Sequence, residues 1–207
     1  MHATNGELAG FMAIQSDTTV KKMAEHQSAY FDPLTKLANR RLLMDCLQQA
    51  LVSSARSKKH GALLFVAVDG FKPLSESLGH NIGDLLPPQA AQRLSNCVRG
   101  CDTVAYLEDY KFAVLLEDLS ENLEQAIAQT EIIGNKILAE ISRPYQLASH
   151  QHSSSASIGV TMFDGGKHKF DELMEQADIA LYQARQSKEK QSGHNNIVFF
   201  NSGMQKN

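Results

Sequence analysis

Four adjacent residues, Glu108-Asp109-Tyr110-Lys111, set two carboxylates, a phenol and an ammonium side by side between the apolar runs Val104–Leu107 and Phe112–Leu116. Such runs around a short polar break read as a β-hairpin. The turn of a tight hairpin normally carries Gly, Asn or Asp, because positive φ costs them little. Acid and bulk stand there instead. Two carboxylates about 4 Å apart repel by roughly 1 kcal/mol in water and about 4 kcal/mol at an effective dielectric near 20. A polyanion meeting this turn is therefore opposed unless a cation intervenes. Just upstream, Arg99-Gly100-Cys101-Asp102 offers a second kind of chemistry. A guanidinium grips phosphate, and a carboxylate accepts N–H bonds. The same Arg–Asp pair at a helix-to-strand junction also serves structural bonding, and both readings stay open.

The elements that must position these groups follow from apolar periodicity. A helix is predicted from about Ala38 to Ser57, with Leu42, Leu43, Cys46, Leu47, Ala50 and Leu51 on one face. Gly61 to Asp69 is a nearly continuous apolar strand, which implies burial on both faces. A short helix over Phe71–Leu78 and a longer one over Gly83–Val98 come next, with Pro87-Pro88 tolerable only near the start of the latter. After the hairpin come a helix over Asn122–Ile141, a strand over Ser153–Met162, a helix over Phe170–Gln186 and a strand over Asn196–Phe200. The order strand, two helices, hairpin, helix, strand, helix, strand is an α+β plan with helices on a largely antiparallel central sheet.

Bulk properties narrow the classes. The 207 residues suffice for one good domain and a short appendage, with 43% hydrophobic and 21% charged content. A formal net charge of -3 argues against a nucleic-acid surface. No apolar run long enough to span a membrane and no secretion signal are read, so a cytoplasmic location is expected. The three cysteines, Cys46, Cys97 and Cys101, lack a disulfide framework and read as free thiols in a reducing compartment. His150 and His152 fall in a Ser-rich stretch and read as loop or edge residues.

Four motifs in order carry a family resemblance over about Tyr30 to Phe200. They are Asp32-Pro33-Leu34-Thr35-Lys36-Leu37-Ala38-Asn39-Arg40-Arg41; Ala67-Val68-Asp69-Gly70-Phe71-Lys72; Leu78-Gly79-His80-Asn81-Ile82-Gly83-Asp84; and Ala177-Asp178-Ile179-Ala180-Leu181-Tyr182-Gln183-Ala184. With the hairpin, they resemble the GGDEF domain of diguanylate cyclases. The resemblance implies a palm-like fold of the nucleotidyl cyclase or ferredoxin-like kind: a central antiparallel sheet flanked by helices. The turn that the family spells Gly-Gly-Asp/Glu-Glu-Phe reads Glu108-Asp109-Tyr110-Lys111-Phe112 here.

In that family the 3′-hydroxyl of one GTP attacks the α-phosphate of another, a reaction that rests on positioning and on charge neutralisation by magnesium. The resemblance places the two metal carboxylates at Ala67 and Tyr110, neither of which is a carboxylate, while Asp69 is no evident substitute. No metal or other cofactor is therefore expected. Asp84 matches the guanine-binding acid, Ser75 stands for the guanine-binding Asn, Lys72 matches a phosphate-facing lysine, and Arg185 stands for the lysine after Tyr-x-Ala. Surface charge and helix capping account equally well for Lys72 and Asp84. The family's Gly-Arg-Asn arrives late, as Gly193-His194-Asn195, after a polar insertion over Lys188–Ser192. Arg99 and Asp102 keep the spacing of the family's Arg-x-x-Asp inhibitory site for cyclic di-GMP.

The sequence thus reads as three parts. Residues 1–29 resemble the last strand and linker of a PAS sensor, 30–201 a degenerate GGDEF domain, and 202–207 a tail resembling the junction to an EAL phosphodiesterase domain, as in a fragment or remnant of a longer protein. The expected function is a catalytically inactive regulatory module that binds cyclic di-GMP. A protein-interaction module keeping only the fold and a residual diguanylate cyclase are the alternatives. A homodimer or a GGDEF/EAL protein is the expected partner.

Overall fold

The structure is a computed structural model that describes residues 29–69, 80–165, 168–190 and 196–206. The PAS-like tail, the Phe71–Leu78 helix with Lys72 and Ser75, and the Gly193-His194-Asn195 segment lie outside the described residues.

Helix α1 (Arg40–Ser57) begins where Asn39 accepts hydrogen bonds from the Arg41 and Leu42 backbone N–H groups. It ends at Lys58, whose φ of 63° and N–H bond to the Ser54 carbonyl stop the helix. Strand β1 (Gly61–Val68) follows and is buried at all eight positions. The helical turn α2 (His80–Gly83) precedes α3 (Leu86–Ser95), and Pro87-Pro88 falls in the first turn of α3. The predicted Gly83–Val98 helix is therefore shorter, and Gly83 belongs to the preceding turn.

The hairpin pairs β2 (Thr103–Glu108) with β3 (Lys111–Leu116). Helix α4 (Leu123–Ile141) is capped by Asn122, which accepts from the Gln125 N–H. A small hairpin, β4 (Tyr145–Leu147) and β5 (His150–His152), was not anticipated from the sequence and forms a separate two-stranded sheet. Strand β6 (Ala156–Phe163), helix α5 (Phe170–Lys190), strand β7 (Asn196–Phe199) and a 3-10 turn (Ser202–Lys206) complete the order.

The main sheet runs β2-β3-β1-β6-β7. Its first three pairings are antiparallel and β7 joins β6 in parallel, so the sheet is mixed at one edge. Alternation along β1 divides the core. Leu64, Val66 and Val68 pack with α3 and α4, through Leu86, Leu94, Ile137 and Ile141. Leu63, Phe65 and Ala67 pack with α1 and α5, through Leu43, Leu47, Leu173 and Ala177. Continuous hydrophobicity in β1 is the sequence trace of this two-sided burial.

The opening motif is a joint. Asp32 Oδ1 accepts from the Leu34 and Thr35 N–H groups at 3.1 and 2.7 Å and from the Thr35 hydroxyl at 2.8 Å. Asn39 Nδ2 donates to the Ala29 carbonyl at 3.0 Å while its Oδ1 caps α1. The Tyr106 N–H donates to the Ala38 carbonyl at 2.9 Å, tying this segment to β2.

Gly159 on β6 lets α5 approach the sheet, since a Cβ there would overlap the Leu181 backbone nitrogen and the Ala177 carbonyl. Both obstacles are helix backbone and cannot rotate away. Gly159→Ala is expected to destabilise the domain by about 3 kcal/mol, read from the urea midpoint. An unchanged midpoint would show that α5 can lift off β6.

Candidate nucleotide site

Strands β2 and β3 meet at the pair Glu108–Lys111, leaving Asp109 and Tyr110 as a two-residue turn. Their φ values are 45° and 61°. Positive φ at both central positions is the arrangement of tight hairpins, so the turn keeps a glycine conformation without glycine. Holding two such residues there costs on the order of 1 kcal/mol or more each. Tertiary contacts hold them. Val68 N–H donates to the Tyr110 carbonyl at 3.1 Å. The Tyr106 ring leans on Phe112, with centroids 5.1 Å apart, and its side chain hydrogen-bonds the Tyr110 backbone. The ladder shifts register between Tyr106 and Glu108, which places a bulge at Leu107.

Cross-strand pairing sets Glu108, Lys111, Ala67, Ser157 and Asn196 in one row across the sheet. Ala67 is fully buried among the α1 and α5 side chains. Beside it, Lys111 Nζ lies 3.0 Å from Asp178 Oδ1 on α5 and 5.1 Å from the Phe65 ring centroid. Lys111 is 23% exposed and Asp178 53%, so solvent screens one end of the pair and the ring covers the other.

The two places that the resemblance assigns to metal carboxylates do not fit a divalent cation. Ala67 has no ligating atom. Burial first, then Tyr106, Asp84 and Asp109, push the Tyr110 phenol up to about 12, so it stays neutral at physiological pH. The next residue, Lys111, brings a positive charge paired with Asp178. Among the described residues, no group of three or more His, Cys, Asp or Glu is placed to hold a metal ion. No catalytic step can be derived through a metal at these positions.

The other sequence candidates are scattered. Asp69 follows β1 and is half-buried; its N–H donates to the Ser155 carbonyl at 2.9 Å and its Oδ2 accepts from the Ser155 hydroxyl at 3.3 Å. That makes it a link between β1 and β6. Asp84 is exposed in the turn before α3, and its charge adds to the upward push on the Tyr106 and Tyr110 phenols. Arg185 is exposed on α5, two helical turns beyond Asp178.

Arg99 and Asp102 form a closed turn at the end of the α3 segment. Asp102 N–H donates to the Arg99 carbonyl at 3.1 Å, and Arg99 N–H donates to Asp102 Oδ2 at 2.8 Å. Asp102 Oδ1 accepts from the Glu117 N–H at 3.2 Å, which fastens the turn to the end of β3. Asp102 therefore does structural work with both oxygens. The Arg99 side chain is exposed. It lines a cleft of ≈ 430 Å³ together with Lys36, Leu42, Cys46, Val98 and Val104.

Glu117 was missed in the sequence, which shows only an acid after an apolar strand. Burial, then Asp118 and Asp102, raise its carboxyl above the ordinary 4.5. A carboxyl raised by folding favours the folded state at low pH and weakens it as pH rises through the folded pKa. Glu117→Gln should therefore raise the urea midpoint at pH 7.5 and give no gain below about pH 4, where the unfolded carboxyl is also protonated. A gain of equal size at both pH values would assign the effect to packing.

The family described as diguanylate cyclase, GGDEF domain, matches residues 29–191. The bifunctional diguanylate cyclase/cyclic di-GMP phosphodiesterase MucR of Pseudomonas aeruginosa is 40% identical over 181 residues, covering 87% of this chain and 25% of MucR. Diguanylate cyclase DgcP of Escherichia coli is 30% identical over 191 residues, covering 88% of this chain and 54% of DgcP. This chain thus spans about a quarter of the one relative and half of the other. Among solved structures, the GGDEF domain of TpbB from Pseudomonas aeruginosa superposes with a TM-score of 0.76 at 28% identity, over 85% of this chain and 97% of that one. The family match spans most of the chain and the fold superposes on a solved member: the chain belongs to the GGDEF diguanylate cyclase domain family.

Proposed function

We propose that the chain is a GGDEF domain without cyclase chemistry, acting as a regulatory module in cyclic di-GMP signalling and binding cyclic di-GMP through Arg99 and Asp102. The observation that carries the loss of chemistry is the Lys111–Asp178 ion pair beside a fully buried Ala67. The Tyr110 phenol and the Ala67 methyl group stand where charge neutralisation by magnesium would require carboxylates, and the paired Lys111 cation lies beside them. Exposed Glu108 and Asp109 add negative charge at the turn that would cradle a triphosphate. Retained signalling is supported by relatives named for making or degrading cyclic di-GMP. The exposed Arg99 side chain on a cleft supports the binding reading.

The second reading, an interaction module that keeps only the fold, draws on Asp102, whose two oxygens already serve the turn. A bound-nucleotide measurement separates the two. The PAS-like character of residues 1–29, the EAL-like junction at 202–207, a cytoplasmic location and a homodimeric or GGDEF/EAL partner remain part of the proposal on sequence resemblance.

Purified protein incubated with GTP and magnesium or manganese is expected to yield no cyclic di-GMP by chromatography. Ala67→Asp alone should restore nothing, because one carboxylate leaves a metal under-coordinated beside the Lys111 cation. Metal-dependent product from either protein would overturn the reading. Calorimetry should find cyclic di-GMP binding that survives chelation of divalent metal. Arg99→Ala should weaken it about ten-fold, the loss of roughly 1.4 kcal/mol expected of a charge-assisted contact. No affinity at all would leave the interaction module as the better account.

A further inference from the structure

Lys36 combines an unfavourable backbone with an exposed charge. Its φ is 62°, a conformation that suits glycine and strains a lysine. The surrounding loop imposes it. Lys36 N–H donates to the Asp32 carbonyl and Asp32 N–H to the Leu37 carbonyl, both at 2.9 Å. Asp32 Oδ1 collects bonds from Leu34 and Thr35, and Thr35 is only 8% exposed. Local geometry therefore favours a residue without Cβ at position 36, and a long cation stands there.

The placement of that cation is informative. Lys36 lines the same ≈ 430 Å³ cleft as Arg99. Among the described residues, neither side chain has a hydrogen-bond or ion-pair partner, whereas Asp102 accepts two backbone N–H bonds within its own turn. Leu42, Val98 and Val104 supply an apolar lining. Two unpartnered cations on an apolar cleft of small-ligand size suit an anion that also carries a flat ring whose face can lie on apolar side chains.

Resting on the reading of Arg99 as a cyclic di-GMP contact, we propose that Lys36 is the second phosphate-binding cation of that site. The ligand then occupies the cleft between the Asp32–Ala38 loop and the Arg99–Asp102 turn, with a base over the Leu42–Val104 lining. Asp102 positions the turn, and Lys36 and Arg99 hold the phosphate from two sides. Lysine persists at a left-handed position because its charge is used.

The test separates stability from binding. Lys36→Gly and Lys36→Asn both suit positive φ, so neither should lower the melting temperature. Both should weaken cyclic di-GMP binding by calorimetry about ten-fold, while Lys36→Arg should retain it. If wild type binds and Arg99→Ala weakens binding while Lys36→Gly leaves it unchanged, this inference fails and the proposed function stands. If wild type does not bind cyclic di-GMP, both fall. Equal losses in Lys36→Asn and Lys36→Arg would show that shape, not charge, is read at this position, and would also overturn it.

Discussion

The structure depends on strand β1, which has no face toward water. All eight of its residues are buried, with β3 on one side, β6 on the other and a helical layer on each face. A strand so placed must be apolar throughout, and its neighbours must present complementary faces in fixed register. A one-residue slip would exchange Leu63, Phe65 and Ala67 with Leu64, Val66 and Val68 between two cores of different shape. Register therefore fixes which residues share a row with the end of β1, and so fixes the make-up of the candidate site.

That row shows how one scaffold can carry different electrostatics. The pairings that bring Lys111 and Ser157 beside Ala67 are backbone properties. They hold whether the row contains carboxylates, a methyl group or an ammonium. In this chain the row contains one cation, Lys111, partnered across the layers by Asp178 and covered by Phe65. The turn keeps its two left-handed residues because Val68, Tyr106 and Phe112 hold them from beneath. Backbone shape and side-chain chemistry are separable here: Asp109 and Tyr110 hold the positive φ of a tight turn without glycine.

Much of the fold was legible because burial is periodic. The unbroken run of β1 and the spacing along α1, α4 and α5 are direct records of the faces they bury, whereas the start of α1 at Arg40, set by the Asn39 cap, lies two residues beyond the predicted Ala38. The β4–β5 hairpin escaped notice because three-residue strands carry no period, and the Ser-rich stretch around His150 and His152 reads only as loop or edge. The parallel pairing of β7 is set by the return of α5 and is not written in the four residues of β7 themselves. At the candidate site, the sequence showed Ala67, Tyr110 and Lys111 but not the partners that they take. Asp178 lies 67 residues from Lys111, and Asp102 reaches the Glu117 amide across the hairpin. Contacts of this range depend on register and helix placement, which no local spacing reports.

The tie between Lys111 and Asp178 also constrains how this sequence can drift. Exchanging Lys111 for an acid sets two carboxylates at ion-pair distance, so the change meets repulsion at once. Exchanging Asp178 first leaves an ammonium against the Phe65 ring and without its counter-charge. Each partner makes the other costly to replace alone, and the two positions change most easily together. The pair behaves as a ratchet: once a lysine has settled beside that helix, the turn is held to its present charge by a residue on a different element.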